Sequence, residues 1–188
     1  MTTHYVDLTV VPDSETGAPQ LLGALHDRLH VALVQHQLEG IGISFPGYSI
    51  QPRTLGAILR LHGTEASLSR LLGTDWLKAL RDHVRVTTIA AAPAQSRHRT
   101  VRRKQFKTSA ERLRRRRMRR KSETAEQAAK AIPSSVERTP DLPYLHIRSR
   151  STGQPFCLFI ALGPLSTDPV PGDFNSYGLS GTATVPWF

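Results

Sequence analysis

The chain has 188 residues, with 25 Lys and Arg against 15 Asp and Glu, for a formal charge of +10. That length holds one large domain or two small ones around a true apolar core, and no apolar run approaches the roughly 20 residues that span a bilayer. A single cysteine, Cys157, excludes an intramolecular disulfide and suits a reducing cytoplasm, and the start MTTHYVDL gives no sign of a signal peptide.

Tyr5 to Val11 reads as a strand ending at Pro12-Asp13. Pro19 opens a helix in which Leu21, Leu22, Leu25, Leu29, Ala32 and Leu33 recur at helical spacing. The helix is expected to end near Glu39-Gly40, where glycine can take a left-handed cap. Ile41 to Phe45 reads as a strand closed by Pro46-Gly47, and Ile58 to His62 as another, broken at Gly63. Ala66 to Leu80 is helical with an interruption near Gly73, and Val84 to Ala91 reads as a last strand. The order βαββαβ predicts an α+β protein with a ferredoxin-like N-terminal domain over residues 1–92. RNA-recognition domains of that fold stack bases on aromatics of two central strands. Here those strands, IGISF and AILRLH, lack that pattern, which argues against binding on that sheet face.

Small residues at 90–95 read as a linker into a second domain, 93–188. Between residues 97 and 121 lie fourteen Lys or Arg and one acid, Glu111, so this stretch carries more than the whole chain's excess charge. Charge confined in this way is the footprint of a phosphate backbone. Strand-like sequence follows it to Phe188, which argues against a basic tail. Ser109 can cap a helix over about 109–121, with Leu113 and Met118 its only apolar members beyond Ala110. Arg112, Arg115 or Arg116, and Arg119 or Arg120 share one face, and the other arginines leave little room for core packing. Ala125 to Ile132 is a second short helix stopped by Pro133, and β segments are expected at Tyr144–Ser149, Phe156–Leu162 and around Tyr177 and Val185. Together these predict a C-terminal α/β region that binds RNA.

No Gly-rich phosphate loop or dinucleotide fingerprint is present, and the acids are too scattered for a two-metal nuclease. His26 and His30 share a helix face, as metal ligands require. In this HDRLH run, however, Asp27 replaces the glutamate of the zinc-protease motif and no third ligand is evident. No metal and no cofactor are therefore expected. RNA brings its own nucleophile, the 2′-hydroxyl, and needs only a group that moves protons near neutral pH and donors that steady the phosphate. A free histidine, titrating at about 6.5, suits the first task.

Several segments, in this order, are familiar together: HDRLHVALV around His30, IGISFPG at 41–47 and WLKALRDHV at 76–84, then RKQFK and ERLRRRRMRRK within 103–121. LPYLHIRSRSTGQPFCLFI at 142–160, SYGLS at 176–180 and the terminal VPWF complete the set. The chain resembles, nearly end to end, the CRISPR repeat-cleaving endoribonucleases of type I-F systems. That resemblance implies a ferredoxin-like N-terminal half, a C-terminal half with an arginine-rich helix, and metal-independent cleavage at the base of a repeat hairpin. His30 then matches the catalytic histidine, Ser149 the serine that fixes the attacking ribose, and Tyr177 the tyrosine beside the histidine. Arg103 and Gln105 match the pair that reads base edges, and Arg116 and Arg120 match helix arginines that grip stem phosphates, with Arg112, Arg115 and Arg119 as neighbours. Ser151, Thr152 and Phe156 match residues around the cleavage site, Phe156 stacking on the terminal base pair.

The implied partners are the CRISPR repeat RNA hairpin, bound one to a monomer, and the other subunits of the type I-F surveillance complex, in the cytoplasm and away from membranes. Two other readings remain at this point. One is a catalytically silent subunit that only caps the hairpin. The other is a non-enzymatic basic protein, which would bind duplex DNA as well as it binds RNA. The segments at 47–54, 87–98 and 163–175 carry no pattern of their own.

Overall fold

The computed structural model describes residues 2–106, 110–134, 140–149 and 152–188. They form two compact units, one running to Lys104 and resuming at Leu142–Phe188, the other covering Gln105–Asp141. The fold is α+β.

The larger unit is built on an antiparallel sheet. Its strands are β1 (His4–Val10), β2 (Gly42–Ser44), β5 (Ile58–Gly63), β6 (Val84–Val86) and β7 (Ala90–Ala91), and the order is β2-β5-β1-β6, with β7 also pairing β1. Two short strands, β3 (Ser49–Ile50) and β4 (Arg53–Thr54), make a separate hairpin between β2 and β5. Alternation sorts β1 cleanly. Val6, Leu8 and Val10 point into the core opposite Leu61 and Leu59, while Asp7 lies opposite Arg60 on the other face.

On that other face Arg60 is held between Asp7 and Phe188. Arg60 donates two hydrogen bonds to Asp7, at 2.7 and 2.9 Å, and a third to the main-chain oxygen of Phe188 at 2.9 Å. Its guanidinium also lies 4.0 Å from the centre of the Phe188 ring. His62 is fully buried beside it, with Nε2 2.8 Å from the Ser44 hydroxyl.

Helix α1 (Ala18–Gln35) buries all six of the apolar residues that its periodicity singled out, together with Gly23 and His26. It ends earlier than Glu39-Gly40. Gln37 takes the left-handed conformation at φ 49°, and the Leu38 amide donates to the Leu33 carbonyl at 2.9 Å while Leu38 itself is buried. This is a Schellman closure with a glutamine where glycine is usual, so composition gave no warning of it. Helix α2 (Glu65–Leu72), capped by the Thr64 hydroxyl on the Ser67 amide, stops at the break expected near Gly73. The remainder, Asp75–His83, is a 3₁₀ segment anchored by buried Trp76.

The single strand expected over Val84–Ala91 is two strands. Leu8 pairs with Val86, but Tyr5 pairs with Ala90, so one extra residue is accommodated between β6 and β7. Thr87 fills that bulge, its hydroxyl accepting the Asp7 amide at 3.0 Å. Ala90 and Ala91 therefore belong to the sheet, where composition had suggested a linker.

The same unit holds a second sheet, ordered β10-β11-β9, from β9 (Val101–Lys104), β10 (Tyr144–Arg148) and β11 (Pro155–Leu162), and a pair, β8 (Arg97–Arg99) with β12 (Val185–Trp187). The first third of the basic stretch is thus strand. Arg99 belongs to the framework, donating twice to the Gly163 carbonyl at 2.6 and 3.0 Å. Leu145, Ile147, Leu158 and Ile160 join the common core, and α1 packs on β10. At Gly23 the two backbones nearly touch: a Cβ there would lie 2.4 Å from the His146 carbonyl oxygen.

The smaller unit is a hairpin of helices α3 (Ala110–Lys121) and α4 (Ala125–Ala131). The Thr124 hydroxyl accepts the Gln127 amide while the Gln127 side chain accepts the Thr124 amide, a capping box that starts α4. The Ser109 cap expected for α3 lies outside the described residues. No helix among the described residues is long and apolar enough to cross a membrane.

Candidate active site

His26 and His30 sit one turn apart on α1 and face the loop at 175–179. Sequence reading expected β structure around Tyr177; the loop is a tight turn. The Asn175 side-chain oxygen accepts the Tyr177 amide at 2.9 Å and the Leu179 amide at 3.2 Å, so these donors are satisfied locally and need no ladder. Gly178 has φ +69°, and a Cβ on it would lie 2.6 Å from the Ile43 side chain. The Ile43 amide also donates to the Gly178 carbonyl at 2.9 Å, pinning the turn to β2.

The turn offers its carbonyls to α1. His30 Nδ1 donates to the Ser176 carbonyl at 2.8 Å. A carbonyl only accepts, so the proton of neutral His30 sits on Nδ1 and Nε2 presents a lone pair. The Tyr177 ring lies parallel to the His30 ring, with centroids 4.0 Å apart and planes 4° from parallel. Four residues earlier, His26 Nε2 donates to the Tyr177 carbonyl at 3.1 Å. Burial holds His26 down to about 4, against the opposing pull of that hydrogen bond, so it is neutral. One ring nitrogen of each of these two histidines is therefore engaged with a main-chain oxygen of the same turn. His26, Asn175 and Gly178 hold the site without having been singled out for that role. The signal was there in the i, i+4 spacing of the histidines and in the turn-forming Asn-x-x-Gly spacing at 175–178.

Ser149 directly follows β10; its amide donates to the Gln154 carbonyl at 2.9 Å and its carbonyl accepts the Gly153 amide at 2.7 Å. Exposed Thr152 lies in the same hairpin turn, its amide 3.4 Å from the Ser149 hydroxyl. Ser151 lies outside the described residues. Phe156 is half-buried on β11 and packs on the core, and the Arg103 guanidinium lies 5.4 Å from its ring centre. The sequence-assigned base reader and the sequence-assigned stacking ring are thus neighbours. Gln105, just beyond β9, is exposed.

In the helical hairpin the arginines divide by face. Arg112, Arg115, Arg116, Arg119 and Arg120, the five proposed from the sequence, are all exposed. Arg115 pairs with Glu111 one turn back. Arg114 and Arg117 are half-buried and tie the hairpin together. Arg114 donates to the Ile132 carbonyl at 2.8 Å, and Arg117 grips Glu123 with two bonds at 2.5 and 3.1 Å. This division follows from helical geometry: residues at i, i+3, i+4, i+7 and i+8 share a face.

The family model described as CRISPR-associated protein (Cas_Csy4) matches residues 5–188. The chain belongs to this family. Two similar relatives are both named CRISPR-associated endonuclease Cas6/Csy4. The protein from Pseudomonas aeruginosa (strain UCBPP-PA14) is 44% identical over 185 residues, covering 98% of this chain and 99% of the relative. That from Escherichia coli (strain UTI89 / UPEC) is 40% identical over 185 residues, with the same coverage. The match begins in β1 and ends at Phe188, so every element of the site described above lies inside the Cas_Csy4 region.

Proposed function

We propose that this Cas_Csy4 chain is a metal-independent endoribonuclease that recognises CRISPR repeat RNA by sequence and shape and cuts it at the base of a hairpin. The observation that supports the chemistry is the His30 hydrogen bond: with Nδ1 committed to the Ser176 carbonyl, Nε2 is free to accept a proton. In this reading Nε2 takes the proton from the 2′-hydroxyl. The resulting oxygen attacks the adjacent phosphorus and the bond to the 5′-oxygen breaks. The leaving oxygen is protonated from solvent, giving a 2′,3′-cyclic phosphate and a 5′-hydroxyl. Tyr177 holds the imidazole plane, and Ser149 fixes the attacking ribose.

Recognition divides in the same reading. Arg103 pairs with a guanine edge and Gln105 with an adenine edge, in bidentate geometry. The exposed arginines of α3 (Arg112, Arg115, Arg116, Arg119 and Arg120) take stem phosphates. Ser151, Thr152 and Phe156 line the cleavage point, with Phe156 against the terminal base pair. Functionally, a ferredoxin-like half over 1–92 carries the proton acceptor and the half over 93–188 carries the RNA. Because the arginine contacts are to the stem, they survive the cut. One monomer therefore keeps one hairpin and enters the type I-F surveillance complex in the cytoplasm as its RNA-bound subunit.

The test is incubation with the repeat RNA of the neighbouring CRISPR array in excess EDTA, followed by end-group analysis. Cleavage should persist in EDTA and stop when the ribose 5′ to the scissile phosphate is 2′-deoxy. Loss in EDTA with recovery on adding Mg²⁺ or Mn²⁺ overturns the mechanism.

A further inference from the structure

The sheet β10-β11-β9 has one face in the core and one face outward. Burial alternates along β10, with Leu145 and Ile147 inside and Tyr144, His146 and Arg148 exposed. Antiparallel register puts Phe159 opposite Tyr144 and Cys157 opposite His146, and Lys104 opposite Phe159 on the far side. Arg102 joins them, paired with Ala161. Three rings are already assembled on this face. Tyr144 meets His146 edge-on with centroids 4.9 Å apart, and Phe159 at 5.2 Å with a 58° tilt. Tyr144 keeps 40% of its surface open.

None of the three strands contains an Asp or Glu, whereas they supply Arg102, Lys104 and Arg148 to this face. A cleft of about 170 Å³ opens beside it, bordered by Pro19, Leu22, Arg53, Pro143, Tyr144 and His146. Solvent-accessible rings beside cations, on strands that carry no acid, match a strand of unpaired nucleotides. Bases stack on the rings whatever their identity, and phosphates neutralise the cations. A duplex hides its base faces and gains nothing from the rings. An apolar peptide gains nothing from the cations.

We infer that the outward face of this sheet binds single-stranded RNA flanking the hairpin, with bases stacked on Tyr144 and His146 and phosphates held by Arg102 and Lys104. The inference rests on the proposed RNA function for its ligand, but not on the cleavage step.

The test uses the full chain with the cleaved hairpin already bound in excess, so that the arginine helix is occupied. A fluorescent twelve-nucleotide oligouridylate is then titrated and followed by anisotropy. Tyr144→Ala and Arg102→Ala should each weaken oligouridylate binding by roughly tenfold, in line with the usual worth of one stacked base or one phosphate contact. Tyr144→Phe keeps the ring and should bind as the parent chain does. All three variants should cut the hairpin at the parental rate, which also certifies their fold. Absence of oligouridylate binding by the loaded parent chain, or equal binding by parent and Tyr144→Ala, overturns the inference. Failure of the parent chain to cut the hairpin sinks the proposed function instead and leaves the oligouridylate result standing.

Discussion

The imidazole of His30 lies flat against the phenol ring of Tyr177 and is hydrogen-bonded to the carbonyl immediately before that ring. Stacking fixes the plane of the imidazole and the hydrogen bond fixes its rotation in that plane. The two constraints are independent, and together they leave Nε2 with one direction. His26 adds a second tether to the same turn through the Tyr177 carbonyl.

Replacing His30 separates chemistry from binding. His30→Ala should lower the cleavage rate at saturating RNA by about 10²- to 10⁴-fold, the usual worth of a positioned acid-base group. Hairpin affinity, read by filter binding, should change little. Weak binding with normal cleavage of the bound fraction contradicts the role given to His30.

Tyr177 distinguishes a ring that stacks from a hydroxyl that bonds. Tyr177→Phe keeps the stack and should cleave within a few-fold of the parent. Tyr177→Ala loses an aromatic contact worth about 0.5–1.5 kcal/mol, so single-turnover cleavage should slow by up to about tenfold. Equal losses in both variants assign the effect to the hydroxyl.

The arginines predict two patterns of loss. Arg116→Ala and Arg120→Ala should weaken binding to every stem alike and reduce the salt dependence by roughly one unit each. Arg103→Ala and Gln105→Ala should cost about 1–3 kcal/mol on the cognate stem and relax discrimination at one base pair. Titrations against cognate and single-pair-mutant hairpins at two salt concentrations separate them. Arg117→Ala should act differently again: it breaks the grip on Glu123 and so shows as lost helicity before any RNA is added.

Two buried histidines predict an acid limit to stability. Burial holds His26 down to about 4 and His62 down to about 3, from an ordinary value of 6.5. Below pH 6.5 the unfolded chain takes up protons that the folded chain refuses, so stability is complete above 6.5 and is lost as pH falls towards 4 and then 3. At about 1.4 kcal/mol per unit, His26 accounts for on the order of 3 kcal/mol and His62 for on the order of 5 across their windows. Urea midpoints measured between pH 8 and 4 should fall steadily below 6.5, and His26→Leu should reduce that slope by about one proton. A flat profile removes the burial argument.

Much of this was legible in the sequence because local pattern and tertiary need agree. The apolar stripe from Leu21 to Leu33 is the buried face of α1, since its spacing admits no other arrangement. The five exposed arginines follow from the 3.6-residue period in the same way. What escaped depends on partners distant in sequence. The Tyr177 turn was read as strand because aromatic and apolar residues suggest one, while its form depends on the Asn175 side chain and on β2. The bulge at Thr87 depends on its partner β1, and the end of α1 on a left-handed glutamine. His26 drew attention for its spacing with His30, yet its buried bond to a carbonyl 151 residues away is a property of the fold.

Gly23 carries a consequence for the geometry of the reaction. It is the point where α1, which bears His30, meets β10, which leads into Ser149, and the missing side chain lets helix and strand approach until a Cβ would collide with the His146 carbonyl. The residue lies seven positions before His30 and meets the strand through the His146 main chain. It acts as a spacer of zero thickness between the element that bears His30 and the element that leads into Ser149. Any side chain there thickens that spacer, so the tolerance of the chemistry to misalignment is set two turns of helix away from the histidine.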